Sequence, residues 1–159
     1  MERADPVVQS IPYLLQVVAR LQTTCFMVDL AGTGIHPAES YVIHELWKES
    51  PLSQTQISDR LEIGNATVGK TIHRLERNGF VERARVAGDR RRILVKLTAK
   101  GEAAYARLDH ATQMLIADIH NVLGPEDARR FRGSLHALAD HFRECVPDAT
   151  TRGGTPDND

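Results

Sequence analysis

The stretch SQTQISDRLEIGNATVGKTIHRLERNG, Ser53 to Gly79, decides how the whole chain is read. Ser53 is a good helix N-cap, and the short helix behind it has Ile57 and Leu61 as its apolar residues. Glu62-Ile63-Gly64 makes a turn. A second helix then runs from about Asn65 to Asn78, with Val68, Ile72 and Leu75 on one face and Gly79 as its C′ stop. Beyond Gly79 the apolar period changes from 3.6 to 2. Val81–Val86 and Arg92–Leu97 read as two short strands around Ala87-Gly88-Asp89-Arg90-Arg91, a β-hairpin with a basic tip. Two short helices joined by a tight turn and followed by a hairpin describe a winged helix-turn-helix.

Helical patterns extend outward on both sides. Ile11 to about Leu30 places Leu14, Leu15, Val18, Leu21, Cys25 and Val28 at helical spacing, and Ala31–Gly34 breaks it. Pro37 opens a helix through Tyr41, Ile43, Leu46 and Trp47, with Pro51 beyond its end. Thr98 caps a long helix, Ala99 to about Val122, with Leu108, Leu115, Ile119 and Val122 on its stripe. Gly124-Pro125-Glu126 restarts a last helix through Phe131, Leu135, Leu138, Phe142 and Cys145. The expected fold is mainly α with a small β-hairpin wing. Residues 1–34 form an N-terminal arm and dimerisation helix, 35–98 the winged helix-turn-helix, and 99–146 C-terminal dimerisation helices. Residues 147–159, rich in Thr, Gly, Asp and Pro, read as a disordered tail.

The net charge of −1 conceals a sorting along the chain. From Arg60 to Lys100 there are 11 basic and four acidic residues, so this stretch carries +7 and the remainder −8. Such a basic middle is the electrostatic footprint of phosphate binding. Aromatics are only 5 % of the chain, which argues against a base-stacking platform for single strands and directs attention to duplex DNA. Two cysteines 120 positions apart form no disulfide framework and fit a reducing cytoplasm. The first ten residues lack a basic-then-apolar signal pattern, and no apolar run approaches the roughly 18–20 residues of a membrane span.

An α-helix fits the major groove, and its N-terminal part reaches base edges. The face opposite Val68, Ile72 and Leu75 offers Asn65, Ala66, Thr67, Lys70, Thr71, His73 and Arg74, with Arg77 beyond. The small Asn65, Ala66, Thr67 and Gly69 are expected to let that end approach closely. Asn65 suits adenine, and Lys70 or Arg74 suits guanine or a phosphate. Ser53 and Gln54, at the start of the first helix, complete the expected contact set with Arg90, Arg91 and Arg92 of the hairpin. A narrow minor groove attracts inserted arginine. Asp89 is expected to pair with Arg91 and organise the wing.

These residues resemble the MarR family of bacterial transcription regulators. The resemblance is carried by Ser53–Leu61, Ala66-Thr67-Val68, Arg74–Arg83, Asp89-Arg90-Arg91-Arg92 and Leu97-Thr98-Ala99-Lys100-Gly101. It covers about Ile35 to Arg107 closely and the terminal helices by layout. Glu62-Ile63-Gly64 departs from the family's usual Gly-Val-Ser, its glycine moved two positions along. The resemblance implies a homodimer on a pseudo-palindromic operator, acting as a ligand-responsive repressor, with the helix from Asn65 in the major groove and the Arg90/Arg91 wing in the minor groove. It also implies an effector between the winged domain and the dimer helices. Tyr13, Arg20, Tyr41, His44, Trp47, Arg107 and His110 are the polar or aromatic candidates there, suited to an aromatic or phenolic effector.

Other chemistries find less support. His110, His120, His136 and His141 contain no histidine pair at i, i+4, so no metal or other cofactor is expected. Some relatives sense peroxide through an N-terminal cysteine, which makes a redox sensor through Cys25 an alternative. Cys25 falls later in its helix than theirs and its nearest basic neighbour, Arg20, is five positions away, so a small buried hydrophobe is the default for it, and Cys145 reads as part of the dimer core. No nucleophile elbow, zinc-protease motif, phosphate loop or dinucleotide fingerprint is present, so no enzyme is expected. A winged protein-interaction module without DNA binding is the remaining alternative.

Overall fold

The computed structural model describes residue 7, residues 9–86 and residues 89–145; the side chains of residues 85–92 stand outside that description, as do residues 147–159 and their expected disorder. The chain divides into two compact units between Leu115 and Ile116. The first holds α1 (Ile11–Asp29), α2 (Pro37–Lys48), β1 (Leu52–Ser53), α3 (Gln54–Leu61), α4 (Asn65–Arg77), β2 (Val81–Val86), β3 (Asp89–Leu97) and the beginning of α5 (Ala99–Cys145). The second is the rest of α5, which is interrupted at Gly124 by a non-helical φ of 74°. Gly124-Pro125 therefore divides two helical runs as the sequence implies.

Caps fix the boundaries. Ser53 accepts the Gln56 N–H, and Gln56 in turn accepts the Ser53 N–H, a reciprocal capping box that starts α3. His36 does the same for α2, its Nδ1 accepting from Ala38 while Glu39 accepts the His36 N–H. The sequence reading missed this cap, because imidazole is not among the usual capping side chains. Glu62 ends α3 in the left-handed region at φ 54°, the position where the family usually has glycine. An L-residue held there costs roughly 1–2 kcal/mol. The displaced glycine, Gly64, instead becomes the N-cap of α4, and the helix begins at Asn65 as expected.

The hairpin differs from the expected one. Its second strand begins at Asp89 rather than Arg92, and a two-residue strand, β1, adds to its other edge. The sheet order is β1-β3-β2, all antiparallel, with Leu52 opposite Val95 and Val81 opposite Leu97. Arg85 faces Ile93 while Val86 faces Asp89, so three extra residues, Arg90, Arg91 and Arg92, enter β3 at that step. Apolar periodicity could not reveal a strand of arginines, and β1 is too short for any period to show.

Ile57, Val68, Ile72 and Leu75 join Val42, Ile43 and Leu46 of α2, with Leu52, Phe80, Val81, Val95 and Leu97, in one buried cluster, and Leu61 is partly buried against it. Phe26 and Leu30 bring the end of α1 to that cluster, as do Leu108 and Ala111 of α5. The rest of α1 leaves Ile11, Leu14, Val18, Leu21 and Val28 exposed. By length and composition α1 passes for a membrane span, which corrects the expectation that no stretch approaches that length. Thr23 and Thr24 donate to carbonyls one turn back, so hydroxyls interrupt the apolar run without lowering its average far. Cys25 and Cys145 are exposed free thiols in the single chain, so Cys25 is not the small buried hydrophobe expected.

Candidate nucleic-acid interface

Helix α4 turns Val68, Ile72 and Leu75 into the core and exposes Asn65, Ala66, Thr67, Lys70, His73, Arg74 and Arg77. Ala66, Lys70, His73 and Arg77 recur every three or four positions and form the centre of the outward stripe. Most of the expected contact face is thus brought together on one surface.

Three of the expected contacts also make internal hydrogen bonds. The Ser53 hydroxyl accepts the α3 cap bond. Gln54 donates through Nε2 to the backbone oxygen and Oδ1 of Asn65, both at 2.9 Å, and so ties α3 to the first residue of α4. Thr71 is half-buried and donates to the Thr67 carbonyl. A Cβ at Gly69 would meet the Gln54 amide at 2.9 Å, so the glycine also leaves room for the side chain that ties α3 to α4.

The charge sorting seen along the sequence is partly undone in space. Arg60 pairs with Glu45 and Glu49, and Arg74 with Glu39, all three acids lying on α2 or at its C-cap, outside the basic stretch. Arg83 lies 3.3 Å from Glu76 and Lys96 2.7 Å from Glu82, whose hydrogen bond raises the Lys96 pKa. Lys100 donates to the Asn78 carbonyl at the end of α4 and sits 4.4 Å over the Phe80 ring. Among the described residues this leaves Lys70 and Arg77 as the cations of the stretch with neither an ion pair, a side-chain hydrogen bond nor a ring contact. The Arg85, Asp89, Arg90, Arg91 and Arg92 side chains, with the Asp89–Arg91 pairing expected of them, lie outside the described residues.

The effector candidates are gathered only in part. Trp47 stacks on Tyr105 with ring centroids 4.3 Å apart and planes at 13°, and His44 approaches the same ring at 5.8 Å. Tyr105 was missed because α5 was read only for its aliphatic stripe. Its pKa is raised, first by partial burial and then by Asp109 one turn on, with Lys48 opposing. Arg107 donates to the Ala31 carbonyl at 3.4 Å. Among the described residues no side-chain hydrogen bond or ring contact joins Tyr13, Arg20, Tyr41 or His110 to that group. No group of three metal-ligating side chains forms among them either.

Residues 33–92 match the model of the MarR family, and this span contains α2 to α4 and most of the wing. Over that stretch the chain is similar to the MarR family. It is 31 % identical over 99 residues to YkoM of Bacillus subtilis, an uncharacterized HTH-type transcriptional regulator, across 62 % of this chain and 64 % of YkoM. It therefore spans just under two thirds of that relative. The HTH-type transcriptional repressor MdtR of the same organism is 24 % identical over 80 % of this chain and 82 % of its own. The PcaV regulator of Streptomyces coelicolor, solved with its natural ligand, superposes with a TM-score of 0.77 at 20 % identity over 88 % of this chain and 98 % of PcaV. All three are named as transcriptional regulators or a repressor and not as enzymes, and PcaV shares the fold of this chain.

Proposed function

We propose that this chain is a MarR-family, sequence-specific regulator that binds duplex DNA as a homodimer and represses transcription from a pseudo-palindromic operator in the cytoplasm. The observation that carries this reading is the outward stripe of α4. It presents Lys70 and Arg77 unpaired among the described residues while Arg60, Arg83 and Lys96 are held by internal acids. A solvated structural face has no need to keep those two free. The three arginines inserted into β3 place a second cationic element beside it in sequence.

Dimerisation is supported by apolar surface that this chain leaves uncovered. Ile11, Leu14, Val18 and Leu21 on α1 are exposed, and so are Phe131, Leu135, Leu138 and Phe142 at helical spacing on the second half of α5. Stripes of this kind on a monomer mark an interface. Residues 1–34 and 99–146 are the segments assigned to it. The Trp47–Tyr105 stack with His44 suits an aromatic or phenolic effector, and PcaV, solved with a natural ligand, supports a ligand-responsive reading. Such a ligand regulates only by favouring one conformation over another.

The test is binding of the chain to the DNA upstream of its own gene and to random duplex across a salt series. Selective binding that weakens steeply with salt is expected. Binding to neither duplex at any salt would leave a protein-interaction module. Arg91→Ala is expected to lose operator affinity by on the order of 1–3 kcal/mol, the range of a good groove contact. Asp89→Ala should weaken binding too, although it deletes a negative charge. Tighter binding by that variant would show that Asp89 does not organise the wing.

A further inference from the structure

We infer that Glu39 is a positioning residue for DNA binding: from its buried place on α2 it fixes the direction in which Arg74 of α4 presents its guanidinium to a DNA phosphate. The inference rests on the DNA-binding reading above. Glu39 is 1 % exposed, yet both its oxygens are matched. Oε2 accepts the His36 N–H at 2.7 Å and Oε1 accepts from Nε of Arg74.

The arginine end of this pair is open. The Arg74 side chain is 45 % exposed and stands on the flank of the outward stripe beside Lys70. With Nε bound to Glu39, the two Nη groups remain as a planar fork, the geometry that meets phosphate oxygens two at a time. Arg74 lies nine residues into α4, roughly 13–14 Å from Asn65 along the axis. Base edges are reached by the beginning of a recognition helix, so a side chain this far along meets the backbone of the duplex. An unrestrained arginine loses its rotamer freedom when it binds; Arg74 has already lost it on folding.

Holding α2 to α4 does not by itself explain the pair. Val42, Ile43 and Leu46 of α2 share a core cluster with Val68, Ile72 and Leu75 of α4, which joins the helices without any charge. Replacing such an ion pair by apolar residues is often neutral or stabilising. The pair also places a negative charge beside the phosphate path, which opposes DNA through the field. The two effects of Glu39 therefore have opposite signs, and that makes the role testable.

The experiment measures binding of the full chain to the upstream duplex and to random duplex for the wild type, Glu39→Gln, Arg74→Ala and the double variant. Glutamine keeps the volume and an oxygen for the His36 N–H. Glu39→Gln is expected to weaken binding to both duplexes on the order of tenfold. Their ratio should hold, because phosphate contacts carry no sequence information. In the Arg74→Ala background Glu39→Gln should add nothing, since it acts through that arginine. Binding as tight as the wild type, or an equal loss in both backgrounds, overturns the inference. Should Glu39→Gln melt below the assay temperature, Arg74→Lys decides: it keeps the charge and a partner for Glu39 but has no fork. Binding like Arg74→Ala then supports the positioning role and binding like the wild type removes it. A wild type that binds neither duplex removes the DNA-binding reading as well, whereas a wild type that binds and is indifferent to Glu39 removes this inference alone.

Discussion

Gly101→Ala is expected to destabilise the protein by about 2 kcal/mol, a sign opposite to that of an ordinary glycine-to-alanine change in a helix. In an open helical position alanine is favoured over glycine by roughly 0.5–1 kcal/mol. At Gly101 a Cβ would overlap the carbonyl oxygen of Phe80 and crowd Leu97 Cδ2 at 3.1 Å. That oxygen cannot give way freely. It accepts the Thr98 N–H at 3.1 Å, and the Thr98 hydroxyl accepts the Gly101 N–H while donating to the Gly79 carbonyl. The first turn of α5 would have to slide off the α4–β2 corner. Overpacking of this kind costs about 1–3 kcal/mol, and each backbone hydrogen bond lost adds about 0.5–1.5 kcal/mol. Thermal unfolding should show Tm falling by roughly 4–8 °C. Gly133→Ala is the control. It lies later in α5, opposite the Phe131–Leu135–Leu138 stripe, and a Cβ there meets open space. It should gain stability by about 0.5–1 kcal/mol. Equal gains at both positions would refute the close approach at Gly101.

That glycine also marks the limit of what the sequence discloses. Leu97-Thr98-Ala99-Lys100-Gly101 was legible as a family signature and Thr98 as a cap, because both are local. Why the glycine is needed was not, since Phe80 is brought to it only by the packing of three elements. The same division holds throughout. Helices α1 to α4 were legible, start and stop included, from apolar spacing with Ser53, Pro37 and Gly79 as punctuation. The early start of β3 at Asp89 and the pairing of Leu52 with Val95 were not, because they depend on long-range register. The interface divides likewise. Lys70, His73 and Arg77 follow from helical spacing against Val68, Ile72 and Leu75. The tie from Gln54 to Asn65 follows only from how α3 crosses α4. Charge was the least transferable signal, since Glu39, Glu45 and Glu49 are distant in sequence from the arginines they neutralise.

Unequal roles among the cations set the second large effect. Removing Lys70 and Arg77 together is expected to reduce affinity for the upstream duplex by on the order of a hundredfold, at about 1.5 kcal/mol for each charged contact. The salt dependence is the sharper readout. Each phosphate neutralised contributes roughly 0.9 to the slope of log affinity against log salt, so Lys70→Ala/Arg77→Ala should flatten it by about two units for each copy bound. A double variant at Arg60 and Arg83 removes the same formal charge but takes away cations already paired with Glu49 and Glu76. Its slope should change by well under one unit. Net charge cannot distinguish these two variants, and long-range attraction alone would weaken binding equally in both. A difference between them therefore locates the contact on the outward stripe of α4. Equal slopes would mean that the basic stretch acts as a diffuse field, and α4 would lose its place as the helix that lies against the duplex.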